Sequence, residues 1–452
     1  MNSSRRPFLA VFLLLVLAYC VWLLTFWPGV LGQDSLAVIL QIEEGKIQSG
    51  KPIFWYLFVK WLYEPHRLIE VSVAVQLLLS AFIFARILAW CWNQGMRKTF
   101  AFILLFICLA PPVLYYQSAL YSDGLFSAAV AGLTFEAWLI VRARRASAFS
   151  LAYLAVLAPI ALFFRANGIF MLVILVPVLL AVPRRDKLKI SAIFLFWLAC
   201  FVVANYTHKS MARHGTLFPL AIYETINFLQ PYVNRTRVTG VDDLVTPDTI
   251  AFLERRKPIK EILAFYDRDY WDPLVYRAAG PGFLSLSKQE KALVVQEFFC
   301  CNLWKNIPAF TASRVNIFLV AALAQGGFGG LDEVFTIVPM THTGSVIRPF
   351  EMGPLRPLIR SAFDWSFAHR WLTWTPFLGI GLLVALMLRG WKRREWPLLL
   401  LVAPLALQLG GIFFFSIAGE YRYLLLFFIC AAALLPIYVA TREGASPAPL
   451  PT

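Results

Sequence analysis

The feature that most constrains this chain is a series of ten nearly uninterrupted apolar runs. They are Phe8–Trp27, Leu68–Trp92, Thr99–Leu114, Gly124–Val141, Ala148–Phe164, Gly168–Val182, Ile190–Tyr206, Trp371–Leu388, Trp396–Ser416 and Tyr423–Ala440. A hydrocarbon core about 30 Å thick takes roughly 20 apolar residues of helix, with a range near 17–25, and these runs have that length or fall a residue or two short of it. Composition agrees: 60% of the 452 residues are hydrophobic and 15% are charged. Soluble domains carry about 25% charged residues. A water-soluble enzyme, a disordered chain, a nucleic-acid module and a disulfide-stapled secreted domain are therefore excluded. The expected fold is an all-α polytopic membrane protein with about ten transmembrane helices. Ile53–Tyr63 is also apolar but too short to cross, and reads as an interfacial helix in the first outer loop.

The charges orient the runs. If Met1 starts in the cytoplasm, the inner pieces are 1–7, 93–98, 142–147, 183–189, 389–395 and 441–452. They hold sixteen Lys and Arg against Asp186, Glu395 and Glu443, which accounts for +13 of the formal net charge of +15. Basic residues in short loops keep those loops cytoplasmic, so the basic excess encodes topology and implies no nucleic-acid partner. The expected organisation is an N-terminal membrane module 1–206 with its outer loop 28–67, a mainly helical outer segment 207–370, C-terminal helices 371–442 and a cytoplasmic tail 443–452. The first run has a two-Arg start but no small-residue cleavage site, so it reads as a retained anchor. The seven cysteines have no metal or disulfide spacing.

Within the outer segment, Pro247–Arg256 and Ser287–Cys300 read as helices, and Ser287 followed by Glu290 is a capping-box pattern. Ala309–Ala324 is apolar, yet a crossing there would invert Trp371–Leu388 and put Arg389–Arg394 outside. It reads as interfacial or partly inserted. Gln325–Asp332 (QGGFGGLD) is glycine-rich and reads as a flexible loop, with Gly326–Gly330 as a candidate lid. It does not complete a dinucleotide-binding pattern.

Ionisable groups at membrane depth are costly and are functional candidates by default. On the outer side stand Asp34 after the first run, Lys51 heading the interfacial helix, Asp123 opening the fourth run, Arg165 with Asn167 after the fifth, and Glu420 with Arg422 before the last. A carboxylate can accept a proton, and two carboxylates can share a divalent cation. Arg offers a fork and Lys a point charge to a phosphate. Together these groups describe a site for a lipid phosphate carrying a transferable sugar. Each also has a plain reading: Asp34 and Lys51 as solvated ends, Arg165 as a snorkelling side chain, Glu420 and Arg422 as a local ion pair. Arg86 and Glu136 lie nearer the inner helix ends and read as a pair or as snorkelling groups without catalytic part. The five His are scattered and suggest no metal site.

Trp27-Pro-Gly-Val-Leu-Gly-Gln-Asp34-Ser and Gly50-Lys51-Pro52-Ile-Phe-Trp-Tyr-Leu resemble the first outer loop of GT-C fold glycosyltransferases, the superfamily of protein O-mannosyltransferases and the lipid A aminoarabinose transferase. Tyr121-Ser122-Asp123-Gly124, Phe164-Arg165-Ala-Asn167-Gly168, Glu420-Tyr-Arg422-Tyr423, and Asn306-Ile-Pro308 with Arg314 are similar to further pieces of that family. The resemblance implies a GT-C fold and an inverting transfer of sugar from a polyprenyl (undecaprenyl) phosphate donor to a periplasmic acceptor (protein, lipid A or glycan) at a bacterial inner membrane. It implies Asp34 and Asp123 as catalytic acids. Lys51, Arg165 and Arg422 would bind the lipid phosphate, supported by Asn167 and Glu420. The chain departs from the family in having Asp34-Ser35 for a paired Asp-Glu and a single Asp123 for an Asp-x-Glu pair. Mg or Mn held by Asp34 and Asp123 thus stays open. Two rival expectations are an O-antigen ligase or polymerase, and a lipid-linked sugar flippase. A flippase predicts two related halves with broken helices and charges near the midplane, which the sequence lacks.

Overall fold

The computed structural model describes residues 5–45, 52–208, 217–233, 243–327 and 329–442. Among them the chain is helical, with three isolated β-bridges and no strand. Among the described residues, seven helices are long and apolar enough to cross a membrane: Arg6–Thr25, Ile69–Asn93, Ser122–Ala143, Arg184–Thr207, Arg370–Arg393, Trp396–Phe415 and Tyr421–Arg442. This is a membrane-embedded helical protein.

The first half runs α1 (Arg5–Thr25), α2 (Gln33–Glu43), α3 (Ile53–Tyr63), α4 (Ile69–Asn93), α5 (Arg97–Leu109), α6 (Pro111–Ser118), α7 (Ser122–Ala143) and α8 (Ala148–Phe163). A 3-10 helix, Ala166–Ile174, leads into α9 (Leu175–Ala181), and α10 (Arg184–Thr207) follows. Ile53–Tyr63, expected as a short interfacial helix, is the helix α3, and each of the ten apolar runs coincides with helix. Three of them lack a single long span. Thr99–Leu114 becomes α5 and α6, bent by 55°, because Pro111 and Pro112 cannot supply amide hydrogens to the preceding turn. Ala148–Phe164 stops after 16 residues, and Gly168–Val182 winds first as the 3-10 helix.

Two compact units divide the chain. The first takes in 1–212, 328–408 and 424–452; the second takes in 213–327 and 409–423. In the first, α7 is the central helix, and every residue from Asp123 to Ile140 is buried. It packs on α4, α8 and the last helix. Its run of Ala, Gly and Ser lets neighbouring backbones approach, which suits helix packing in lipid, where van der Waals fit replaces the hydrophobic drive. Across the α4–α7 seam Arg86 makes a two-pronged bond to the buried Glu136, at 2.9 and 3.1 Å. Of the two readings the sequence left open for these charges, a pair or snorkelling groups, the structure shows the pair.

The expected outer segment 207–370 is divided between the units, with 328–370 belonging to the first. Polar contacts explain this. The Gly344 amide and the Thr343 hydroxyl both donate to the Arg67 carbonyl, at 2.8 and 2.7 Å. Ser345 accepts from the Ile69 amide and donates to Glu70. The Arg348 amide donates to the Trp27 carbonyl at 3.1 Å, while its guanidinium pairs with Asp332 at 2.8 Å. The stretch 342–348 is thus a strap over the first outer loop.

The second unit gathers α11 (Leu217–Phe228), α12 (Pro247–Glu254), α13 (Lys288–Glu297) and α14 (Ile307–Ala322) around a core that includes Tyr223, Phe252, Leu274, Phe298 and Ile317. The Ser287 hydroxyl accepts from the Glu290 amide and the Glu290 carboxylate from the Ser287 amide, completing the capping box. The Ser287 amide, and after it the Ser287 side chain, hold the Glu290 carboxyl below its usual range. The remaining long helices among the described residues are α15 (Leu355–Ala368), α16 (Phe377–Arg393), α17 (Trp396–Phe415) and α18 (Leu425–Arg442).

Candidate functional site

Asp34 and Asp123 each stand in the first turn of a helix, α2 and α7 respectively. Unpaired amides and the helix dipole favour a carboxylate there. The two segments leading into these helices are bonded to each other. Val30 and Ala119 form a parallel bridge, with the Val30 amide donating to Ser118 at 3.0 Å and the Leu120 amide to Val30 at 3.1 Å. Ser35 accepts from the Gly32 amide and donates its hydroxyl to the Leu120 carbonyl at 3.1 Å. Gly32 is required by this approach, since a Cβ there would stand 1.7 Å from the Tyr121 hydroxyl. The acids thus follow by two residues the points, Gly32 and Tyr121, where their loops touch.

The second of these loops is held from below by buried polar groups of α4 at helical spacing. Gln76 donates to the Gln117 and Ala119 carbonyls at 2.8 and 2.9 Å. Ser80 donates to the Gln117 side chain, which donates to the Gly124 carbonyl at 3.0 Å. Gly124 is a second obligate glycine, because a Cβ would lie 2.0 Å from the Tyr116 carbonyl oxygen. Sequence reading missed Gln76 and Ser80. Their signal was two polar residues four apart, with Ser72 another four before them, on one face of a largely apolar span.

Asp123 is 3% exposed and forms an ion pair with Arg165. Arg165 precedes the 3-10 helix after α8, so three segments meet at the end of the bundle away from the Arg-rich loops. Asn167 donates to Gln408 at 3.2 Å and ties the Arg165 turn to α17. Lys51 lies outside the described residues.

Glu420 and Arg422 belong to the second unit. They are ion-paired with each other, and Arg422 lies 5.8 Å from the centre of the Tyr423 ring. Their turn is fixed from several sides. Ala418 bridges to Tyr270, the Gly419 amide donates to the Asp269 carbonyl at 2.8 Å, and Glu420 bridges to Gly326. Burial and the nearby Glu420 carboxylate push the Tyr270 hydroxyl up to about 12.

Beneath that turn lies a pair that sequence reading only half found. Arg314, named through the resemblance, is fully buried against Glu224, which was not singled out. The Ser313 hydroxyl and the Asn227 amide donate to the same carboxylate at 2.7 and 3.0 Å, and Arg314 reaches the Ser416 carbonyl. Burial pushes the Glu224 carboxyl up against the opposing pull of Arg314. A charge inside each of two short apolar helices was the missed signal.

The glycine-rich loop does not hang free where it is described. The Gly329 carbonyl accepts from the Tyr115 hydroxyl at 2.7 Å, and the Gly330 amide donates to Glu333 at 3.1 Å. No group of three His, Cys, Asp or Glu side chains among the described residues is placed to hold a metal ion. Asp34 and Asp123 offer two carboxylates, one engaged by Arg165, and Mg held by so few protein ligands takes its remaining oxygens from water and substrate phosphate.

What the first-unit site can do chemically is limited and specific. It presents a half-buried carboxylate, Asp34, on a loop bonded to the one that leads into Asp123, and a buried Asp123 carboxylate paired with the partly exposed Arg165 guanidinium. No protein-family model matches the chain, and no curated protein or solved structure matches it significantly.

Proposed function

We propose that the protein is a GT-C type glycosyltransferase of a bacterial inner membrane, moving a sugar from a polyprenyl phosphate to an acceptor on the periplasmic side. The observation that carries this reading is the bonding of the Asp34 loop to the Asp123 loop, with Asp123 paired to Arg165. What supports the reading is that the segments carrying Asp34, Asp123 and Arg165 are joined to one another by these bonds at one end of the bundle. The architecture calls for ten crossings, the seven long helices and three further pieces, of which α8 with its 16 residues is one. The bent α5–α6 pair is compatible with one, and so is the 3-10 helix with α9: nine residues at about 2.0 Å and seven at about 1.5 Å give roughly 28 Å, close to the core thickness.

In the proposed step, Asp34 takes the proton of an acceptor hydroxyl as its oxygen attacks the anomeric carbon. The bond from that carbon to the phosphate oxygen breaks, and polyprenyl phosphate departs with the electron pair. One displacement inverts the anomeric configuration. Arg165, oriented by Asp123, and Lys51 stabilise the leaving phosphate. No step runs through a cation, because the donor set is incomplete without substrate oxygens.

The test offers purified protein a panel of labelled polyprenyl-phosphate sugars, with and without EDTA. Asp34→Asn lowers transfer by about 10²–10⁴-fold, the usual worth of a general base, and leaves the yield of folded protein unchanged. Lys51→Ala weakens donor binding. Transfer at full rate by Asp34→Asn rejects the base, and a wild-type protein inert toward every donor rejects the reaction.

A further inference from the structure

Helix α15 and the turn after it carry apolar surface that the protein leaves uncovered. Leu358 is 66% exposed, Trp365 60%, Trp371 55% and Leu372 63%. Leu358, Ala362 and Trp365 are spaced four and three apart and form one stripe along the helix. The helix has two other faces. Phe363 and Ser366 turn into the protein: Phe363 packs on Trp22, Tyr115 and Trp374, and the Trp374 indole donates to the Ser366 hydroxyl at 2.7 Å. Arg360 and Asp364 lie on the side away from the stripe, where Arg360 pairs with Asp332. Such a three-sided helix is built to lie flat at a boundary between water and an apolar phase.

What covers the stripe follows from where the helix leads. The apolar span Arg370–Arg393 begins two residues after α15 ends, and it finishes in Lys392 and Arg393. The stripe is therefore continuous with the lipid-facing start of a span, at the end opposite the basic loop. Trp is the residue enriched at that depth, its ring apolar and its N–H polar. We infer that α15 (Leu355–Ala368) is an in-plane membrane helix, seated in the phospholipid headgroup layer of the leaflet opposite the Arg-rich loops through Leu358, Ala362 and Trp365, with Trp371 and Leu372 carrying the contact on into the start of the span.

This seat has a consequence for the candidate site. Phe363 stacks on Tyr115, whose segment leads to Asp123, and the Trp22 indole donates to Ser118 of the same segment at 2.7 Å. The lipid-borne helix thereby braces the loop that carries the buried acid. The seat itself depends only on the protein being embedded in a membrane, whatever reaction it performs.

The experiment places a genetically encoded, environment-sensitive fluorescent amino acid at position 358 or 365 of the full chain. A third variant carries it at 351, an exposed position outside the helix. Each is reconstituted in nanodiscs of phosphatidylethanolamine and phosphatidylglycerol. Lipids brominated high on the acyl chain should quench positions 358 and 365 at least threefold more than position 351, and aqueous iodide should show the reverse order. Equal iodide quenching at all three positions overturns the inference. So does protection at 358 and 365 that appears only at high protein-to-lipid ratio, which would assign the stripe to a second copy of the chain. Near-ultraviolet circular dichroism of each variant excludes misfolding as the source of either result.

Discussion

The decisive residues of the first unit are charges that find one another far from their neighbours in sequence. Asp123 and Arg165 are 42 positions apart, and the acid is almost fully enclosed. Removing one partner of such a pair leaves an uncompensated buried charge, which typically costs 3–5 kcal/mol. Arg165 is partly open to solvent, so Arg165→Met should cost about 3 kcal/mol in chemical unfolding of the purified protein. Adding Asp123→Asn should recover most of that loss. A double variant no more stable than Arg165→Met would show that the pair is not what the charges are for. Asp332 behaves differently because it is half exposed. Burial raises its carboxyl, but Arg360 and Arg348 outweigh that and hold it below its ordinary range. Its unfolded value is about 3.9. Its contribution is therefore complete above that value and is lost as pH falls through the lower folded value. Hydrogen exchange across 331–348 should stay constant between pH 8 and 5, once corrected for intrinsic rates. Asp332→Asn should speed it severalfold throughout, and loosening of the wild type already at pH 6 would contradict this assignment.

At the scale of elements, the sequence made the helices legible because their signals are local. The capping box at Ser287, the short helix Ile53–Tyr63 and the apolar runs were readable from spacing, whereas the break at Pro111 inside the run Thr99–Leu114 was passed over. Contacts between elements were less legible, since nothing in the first loop announces that Gly32 must admit Tyr121. That contact gives a sharp test. Gly32→Ala puts a methyl against the Tyr121 hydroxyl and should cost about 1–3 kcal/mol, the usual price of overpacking. Gly32→Ala with Tyr121→Phe should regain part of it, since the hydroxyl is the nearest atom. No loss in the single variant would mean that the two loops are not held together as described. Gln76 and Ser80 were missed for a related reason: a polar residue in an apolar span is visible, but its partner on another helix is not.

The whole molecule is a membrane bundle with a second compact unit, and its sidedness is a prediction from charge. Reporter fusions after residues 94, 145 and 186 should report the cytoplasm, and fusions after 31, 120 and 166 the opposite face. Any one of these on the wrong side would break the alternation that assigns Asp34, Asp123 and Arg165 to a common face. The sequence by itself determined that the chain enters a membrane, roughly where its apolar helices begin and end, and which residues stand at their tips. Those properties follow from hydropathy and charge, which add up along a short window of chain. Only the tertiary structure decided that the first two outer loops are bonded together, that Asp123 faces Arg165, that Arg314 is buried on Glu224, and that 328–370 packs with the spanning helices. Each of these joins residues dozens to hundreds of positions apart, where fit and hydrogen-bond geometry govern, and no local window contains both partners.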